Sequence, residues 1–335
     1  MSRFMIPKDY QPKLGLYETQ TAIEVIKQTF MEHLTKTLNL RRVTAPLFVE
    51  SSSGLNDDLN GIERAVSFDI PDANADAQVV HSLAKWKRMA LGKYEFPVGE
   101  GLYTDMNAIR RDEELSNIHS VYVDQWDWCK VISREQRNKE YLKETVQGIV
   151  DAVCDTLDVL KKRFPLVSTE LSRQVKFITT QELEDLYPDM TGKERENAIT
   201  KEYKTVFIME IGDVLASGNK HDGRAPDYDD WKLNGDILFW DDVLGIALEI
   251  SSMGIRVDET SLDVQLTKSG CDDRRTLPFH KALLKGELPL TMGGGIGQSR
   301  LCMLLLGKAH VGEVQVSVWD EKTIENCKNY HIQLL

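Results

Sequence analysis

The chain has 335 residues, 41% hydrophobic and 28% charged, and its 41 Lys+Arg against 53 Asp+Glu leave a net charge of −12. That balance is globular and argues against non-specific binding to a polyanion. No apolar run approaches the roughly 18–20 residues that span a bilayer, and the five cysteines form no CxxC pair, which excludes a dithiol or zinc motif and points to a reducing, cytoplasmic setting.

In Tyr17–Leu38 apolar residues recur at Ile23, Ile26, Phe30, Leu34 and Leu38, one face of a helix that exits at Asn39. Arg42–Val49 reads as a strand, His81–Leu91 as a short helix ended by Gly92, and Gly101–Ile109 and His119–Val131 as strands. A second long helix over Arg134–Phe164 aligns Leu142, Val146, Ile149, Val153, Leu157 and Leu160, and Pro165 ends it. Thr179 and Thr191 each have Glu three residues on, the spacing of a capping box. Thr205–Ile211, Asp236–Trp240 and Gly245–Ile250 complete the strand-like runs. Strands follow one another through short turns, so the expectation is an α+β fold: an antiparallel sheet flanked by helices. No linker divides the chain, and a single domain over residues 1–335 is expected.

Gly293–Gly297 is the densest glycine cluster and precedes a helix over Leu301–Leu306. It matches neither GxxxxGK[ST] nor GxGxxG, and reads as a tight strand-to-helix turn with or without a bound anion. Asp236 and Glu249 lie on strands flanking Asp241–Leu244; a turn at Asp242–Val243 would set them opposite each other, an oxygen-ligand pair suited to a cation such as Mg²⁺. The alternative is a solvated acidic pair. Asp57, within Ser53–Gly61, reads by itself as a turn residue.

Arg300, three residues after the last of these glycines and in the first turn of the expected helix, makes this segment resemble motif 3 of the class II aminoacyl-tRNA synthetases. Arg110-Arg111-Asp112-Glu113 resembles motif 2, and Leu40–Leu47 with Pro46 resembles the dimer-forming motif 1. A finer likeness covers residues 40 to 307. His81–Arg88, Gly99–Thr104, Ser120–Trp128, Arg224–Trp231, Asn234–Leu238 and Ser251–Val257 resemble the asparagine synthetase A family, the ammonia-dependent aspartate–ammonia ligases. Two departures stand out. Only Lys232 separates Trp231 from Leu233 where a longer loop is expected, and Arg111 replaces a proline.

The resemblance implies a class II synthetase-like catalytic domain without an anticodon-binding domain, acting as a homodimer with no nucleic-acid or membrane partner. Its implied substrates are L-aspartate, ATP and ammonia, with Mg²⁺ as cofactor, and asparagine forms through a β-aspartyl-adenylate with release of AMP and pyrophosphate. Arg110 and Arg300 would meet the phosphates, Lys87 and Arg256 the aspartate α-carboxylate, Asp127 and Asp229 its ammonium, and Gln125 its side-chain carboxyl. Asp57 would serve the incoming ammonia, and Ser120, Val123, Asp236, Ser251 and Ser252 would border the nucleotide. His81 and His119 are expected to be structural. The alternatives are transfer of aspartyl-adenylate to tRNA and a non-catalytic synthetase paralogue.

Overall fold

The computed structural model describes residues 4–57 and 63–335. In chain order its elements are α1 (Leu16–Leu38), β1 (Leu40–Arg42), β2 (Phe48–Glu50), β3 (Ser67–Ile70), β4 (Ala75–Val79), α2 (Ala84–Lys93), β5 (Gly101–Ile109), β6 (Tyr122–Val131) and α3 (Lys139–Arg163). There follow β7 (Lys176–Thr179), α4 (Thr180–Leu186), α5 (Gly192–Tyr203), β8 (Thr205–Met209), β9 (Asp229–Asp241), β10 (Ile246–Arg256), α6 (Glu259–Lys268), α7 (Pro278–Leu284), β11 (Thr291–Gly297), α8 (Gln298–Leu306) and α9 (Glu321–Asn329).

The expected apolar faces are the buried ones. Ile26, Phe30 and Leu34 of α1 and Leu142, Val146 and Leu160 of α3 are fully shielded, each burial worth roughly 1.5–3 kcal/mol. Asn39 ends α1 in the left-handed conformation, and Asn138 caps α3 by accepting from the Tyr141 N–H. Both expected capping boxes are present, at Thr179/Glu182 and Thr191/Glu194.

Among the described residues an eight-stranded sheet runs in the order β1-β5-β6-β11-β10-β9-β8-β7. It is antiparallel except at its two edges, where β1 pairs parallel to β5 and β7 parallel to β8. Trp126, Trp128, Ile237, Met253 and Ile296 face a layer made by α1, α3 and α8. On the opposite face α2 packs over β6 and β11, and α5 over β9 and β10. A small sheet, β2-β4-β3, stands beside it. No helix among the described residues is long and apolar enough to cross a membrane.

Several expectations change. The strand expected over Arg42–Val49 is two strands, β1 and β2, with Pro46 in the irregular chain between them. Gly92 lies inside α2, which continues to Lys93. Trp231–Leu233 is no loop but part of continuous β9. The glycine cluster is not a turn: Thr291–Gly297 is strand β11, at the centre of the sheet.

Candidate active site

Strand alternation gives the cavity its floor. Along β6, Gln125 and Asp127 face away from the tryptophans that fill the core, and Gly295 lies between Asp127 of β6 and Ser252 of β10. None of the glycines in β11 takes a positive φ. They serve by lacking a side chain: a Cβ on Gly293 would come within 2.8 Å of the Arg256 guanidinium, and one on Gly295 would strike the Gln125 amide. The glycine lane therefore lets both side chains lie flat over the sheet.

Above this floor is a cavity of about 310 Å³. All the residues singled out from the sequence border it except Asp236 and Ser251. At one end the charges are deeply buried and matched. Lys87, on α2, is fully buried and pairs with Asp127, while donating to the carbonyls of Trp128 at 3.0 Å and Gly294 at 3.2 Å. Burial lowers its pKa, and Asp127 opposes that shift. Arg256 pairs with Asp229 and lies over the Tyr228 ring at 5.7 Å. Two cations and two anions are thus held within one wall, each satisfied by its opposite, so no bare charge is buried. Asp57, 4% exposed, borders this end, and its carbonyl meets His81 Nδ1 at 3.0 Å. Of the segment 53–61, residues 58–61 lie outside the described residues.

At the other end stand two arginines with looser partners. Arg110 follows β5, held by its N–H to the Val121 carbonyl, and its side chain is 28% exposed with Glu113 at 3.9 Å. Arg111, beside it, is exposed to solvent, so the cavity takes the first arginine of the pair. Arg300, in the first turn of α8, donates from Nε to the Ile118 carbonyl (3.3 Å) and from Nη1 to the Glu249 carbonyl (3.1 Å).

The acidic pair departs from the expected register. The β9–β10 turn spans four residues between Asp241 and Ile246, with the Asp241 carboxylate accepting from the N–H groups of Val243 and Leu244. Asp236 therefore lies opposite Ser252, and Glu249 opposite Leu238. A bulge at Ile250 breaks the alternation of β10, so that Glu249 and Ser252, three positions apart, both border the cavity and Ser251 does not. Asp236 and Glu249 remain diagonal neighbours on one face. Asp236 is paired through Oδ2 with Arg224, and its buried Oδ1 has no hydrogen-bond partner. Burial raises its pKa, Arg224 draws it down, and Glu249 raises it again.

His119 borders the cavity, bonded through Nδ1 to Ser116 Oγ at 2.8 Å. Burial first, then the Arg300 charge, pushes its pKa down to about 4. Sequence reasoning assigned no role to Glu113, Tyr228, Arg224 or Gln315. The first three lie inside quoted motif blocks, which was the available signal; Gln315 comes from a segment without any motif.

The family model described as aspartate-ammonia ligase matches residues 17–331. Proteins called aspartate–ammonia ligase in Clostridium perfringens (strain SM101) and Lactobacillus acidophilus are 60% and 58% identical, over 100% and 99% of this chain and all of their own length. Among solved structures, asparaginyl-tRNA synthetases from Entamoeba histolytica and Pyrococcus horikoshii, both complexed with asparaginyl-adenylate, superpose with TM-scores of 0.65 and 0.63 at 14% and 17% identity. They match 90% and 94% of this chain, which spans 66% and 74% of theirs, and they establish the synthetase-like fold. With a family match over residues 17–331 and relatives near 60% identity, the chain belongs to the aspartate–ammonia ligase family.

Proposed function

We propose that the chain makes L-asparagine from L-aspartate, ammonia and ATP in two steps. The β-carboxylate of aspartate attacks the α-phosphorus, releasing pyrophosphate and forming β-aspartyl-adenylate; ammonia then attacks the acyl carbon, releasing AMP. The observation that carries this reading is the juxtaposition of two buried, opposite ion pairs with two incompletely paired arginines in one cavity.

Aspartate brings both signs of charge. Its α-carboxylate suits Lys87 and Arg256, and its ammonium suits Asp127 and Asp229. Binding redistributes existing ion pairs rather than creating lone buried charges, which keeps the desolvation penalty low. Gln125 lies over Gly295, where an amide that donates and accepts can orient the side-chain carboxyl. Arg110 and Arg300 meet the phosphates with planar, bidentate donors and stabilise the charge that develops at phosphorus. Ser120, Val123 and Ser252 border the adenosine portion. Asp57 holds ammonium by charge and accepts its proton, making ammonia nucleophilic.

The unpartnered Asp236 Oδ1 beside Glu249 suits a hard divalent cation such as Mg²⁺, with Arg224 occupying only Oδ2. Such an ion, when bound, neutralises phosphate charge. The whole reaction is assigned to the one unit built on the eight-stranded sheet. A homodimer is supported by the exposed Leu47 and the exposed Phe48–Phe68 pair on the small sheet, and an interface of roughly 2,000 Å² or more is expected. The free state of all five cysteines supports the cytoplasmic setting.

The test supplies ATP, Mg²⁺, aspartate and ammonium and identifies the nucleotide product. AMP with asparagine is expected; ADP would overturn the adenylate mechanism.

A further inference from the structure

The connection between β5 and β6 carries Arg110, Glu113, His119 and Ser120 to the cavity, yet contains no helix or strand of its own. Such a segment depends on side chains to hold its backbone. Asn117 lies within it and is 5% exposed. Its Oδ1 accepts from the Met5 N–H at 2.8 Å, and its Nδ2 donates to the carbonyls of Met5 at 2.8 Å and Ala309 at 2.7 Å. Its own carbonyl accepts from the Val311 N–H at 2.7 Å. The carboxamide exchanges both hydrogen bonds with the Met5 main chain, as a strand partner would, and spends its second N–H on the exit of α8. The next carbonyl along, that of Ile118, is the acceptor for Arg300 Nε. Met5 lies outside the 17–331 span of the family model.

We propose that Asn117 and the main chain of Met5 form a tether that positions the β5–β6 connection and, through the Ile118 carbonyl, aims Arg300 at the nucleotide. The N-terminal segment is then part of the ATP-binding apparatus, and Asn117 is a positioning residue that touches no substrate. This rests on the reading of Arg300 as a phosphate clamp. A purely structural role for Asn117 would change stability and leave the two substrates affected alike.

The experiment compares Asn117→Leu, Met5→Pro, the double variant and Arg300→Ala as full-length chains. Leu has the same number of side-chain heavy atoms as Asn without its hydrogen bonds. Pro removes the Met5 N–H and fixes φ there while leaving the Met5 carbonyl to accept from Asn117, and the Met5 side chain, 38% exposed, contributes little to packing. Asn117→Leu is expected to raise the KM for ATP by about ten- to a hundredfold, as a misplaced positioning group does, with the KM for aspartate within about twofold of wild type. Met5→Pro moves the same constant less, and the double variant is no worse than Asn117→Leu. Hydrogen exchange over residues 110–121 rises in each tether variant. If Arg300→Ala raises the ATP KM while both tether variants leave it unchanged, the tether is wrong and the clamp stands. If Arg300→Ala leaves it unchanged, the clamp reading fails and takes the tether with it. Equal rises in both KM values, or additive effects in the double variant, also overturn the proposal. Should Asn117→Leu fail to fold, Met5→Pro decides alone.

Discussion

The two ends of the cavity handle charge in different ways. Around Lys87, Asp127, Asp229 and Arg256 every charged side chain is at most 5% exposed and has a partner of opposite sign in place. Around Arg110 and Arg300 the guanidinium groups are about a quarter exposed, and their carboxylate partners stand 3.9 Å away. A small zwitterion can be recognised by pairs that are complete beforehand, because it substitutes for partners already there. A triphosphate brings only negative charge, so its end needs cations that are held in direction but left unneutralised. Removing a charge should therefore destabilise the fold at the first end and cost mainly catalysis at the second.

The largest effect is expected at Asp57, on the aspartate side. Asp57→Asn should largely retain aspartate-dependent ATP–pyrophosphate exchange and lose asparagine synthesis by about 10²–10⁴-fold, the worth of a positioned base. Raised pH or ammonium should restore part of the rate. Equal loss in both assays would move Asp57 into substrate binding.

At the nucleotide end, Arg110→Ala should lower pyrophosphate exchange by about 10²–10³-fold, as loss of a charge-stabilising donor does, while the melting temperature stays near that of wild type. Exchange within about threefold of wild type would erase the contrast.

Lys87→Met should show the opposite signature. It leaves Asp127 buried without its cation, for a loss of roughly 3–5 kcal/mol in urea denaturation. The double variant Lys87→Met/Asp127→Leu should recover most of that stability and none of the activity. A single variant as stable as wild type would mean that the pair is not the buried unit described.

His119 gives the smallest effect. Its folded pKa of about 4 lies below the ordinary value near 6.5, so between those values the unfolded chain binds a proton that the folded chain refuses. The stability it contributes is complete above about pH 6.5 and is lost as pH falls toward 4, roughly 1–3 kcal/mol for a partly shielded ring. His119→Asn should flatten that portion of the stability profile, read by chemical denaturation at pH 7 and 4.5. An unchanged slope would show that neither burial nor the Arg300 charge holds the ring neutral.

Much of the scaffold was legible because it depends on local periodicity. The faces of α1 and α3, the capping boxes at Thr179 and Thr191, and strands β5 and β6 all follow from residues close in sequence. The candidate site residues were reached through motif resemblance, and nearly all border one cavity. Ser251 escaped because a bulge shifts which residues share a face, and a bulge in β10 is decided by pairing with β9. The glycine run misled because glycine serves two purposes. Its composition suggests a turn, while in β11 it leaves room for Arg256 and Gln125, which come from other strands.

By itself the sequence determined the two long helices and the capped helices at Thr179 and Thr191, the antiparallel character of the sheet and the residue types needed for phosphate and zwitterion recognition, since each follows from side-chain chemistry or short-range spacing. Tertiary structure alone decided that Lys87 meets Asp127 and Arg256 meets Asp229, and that Asn117 reaches Met5 across 112 positions of chain. Those choices depend on strand register and on which buried polar groups find partners. Register is set by the whole sheet burying one face, and partners far apart in sequence are brought together only when that burial is complete.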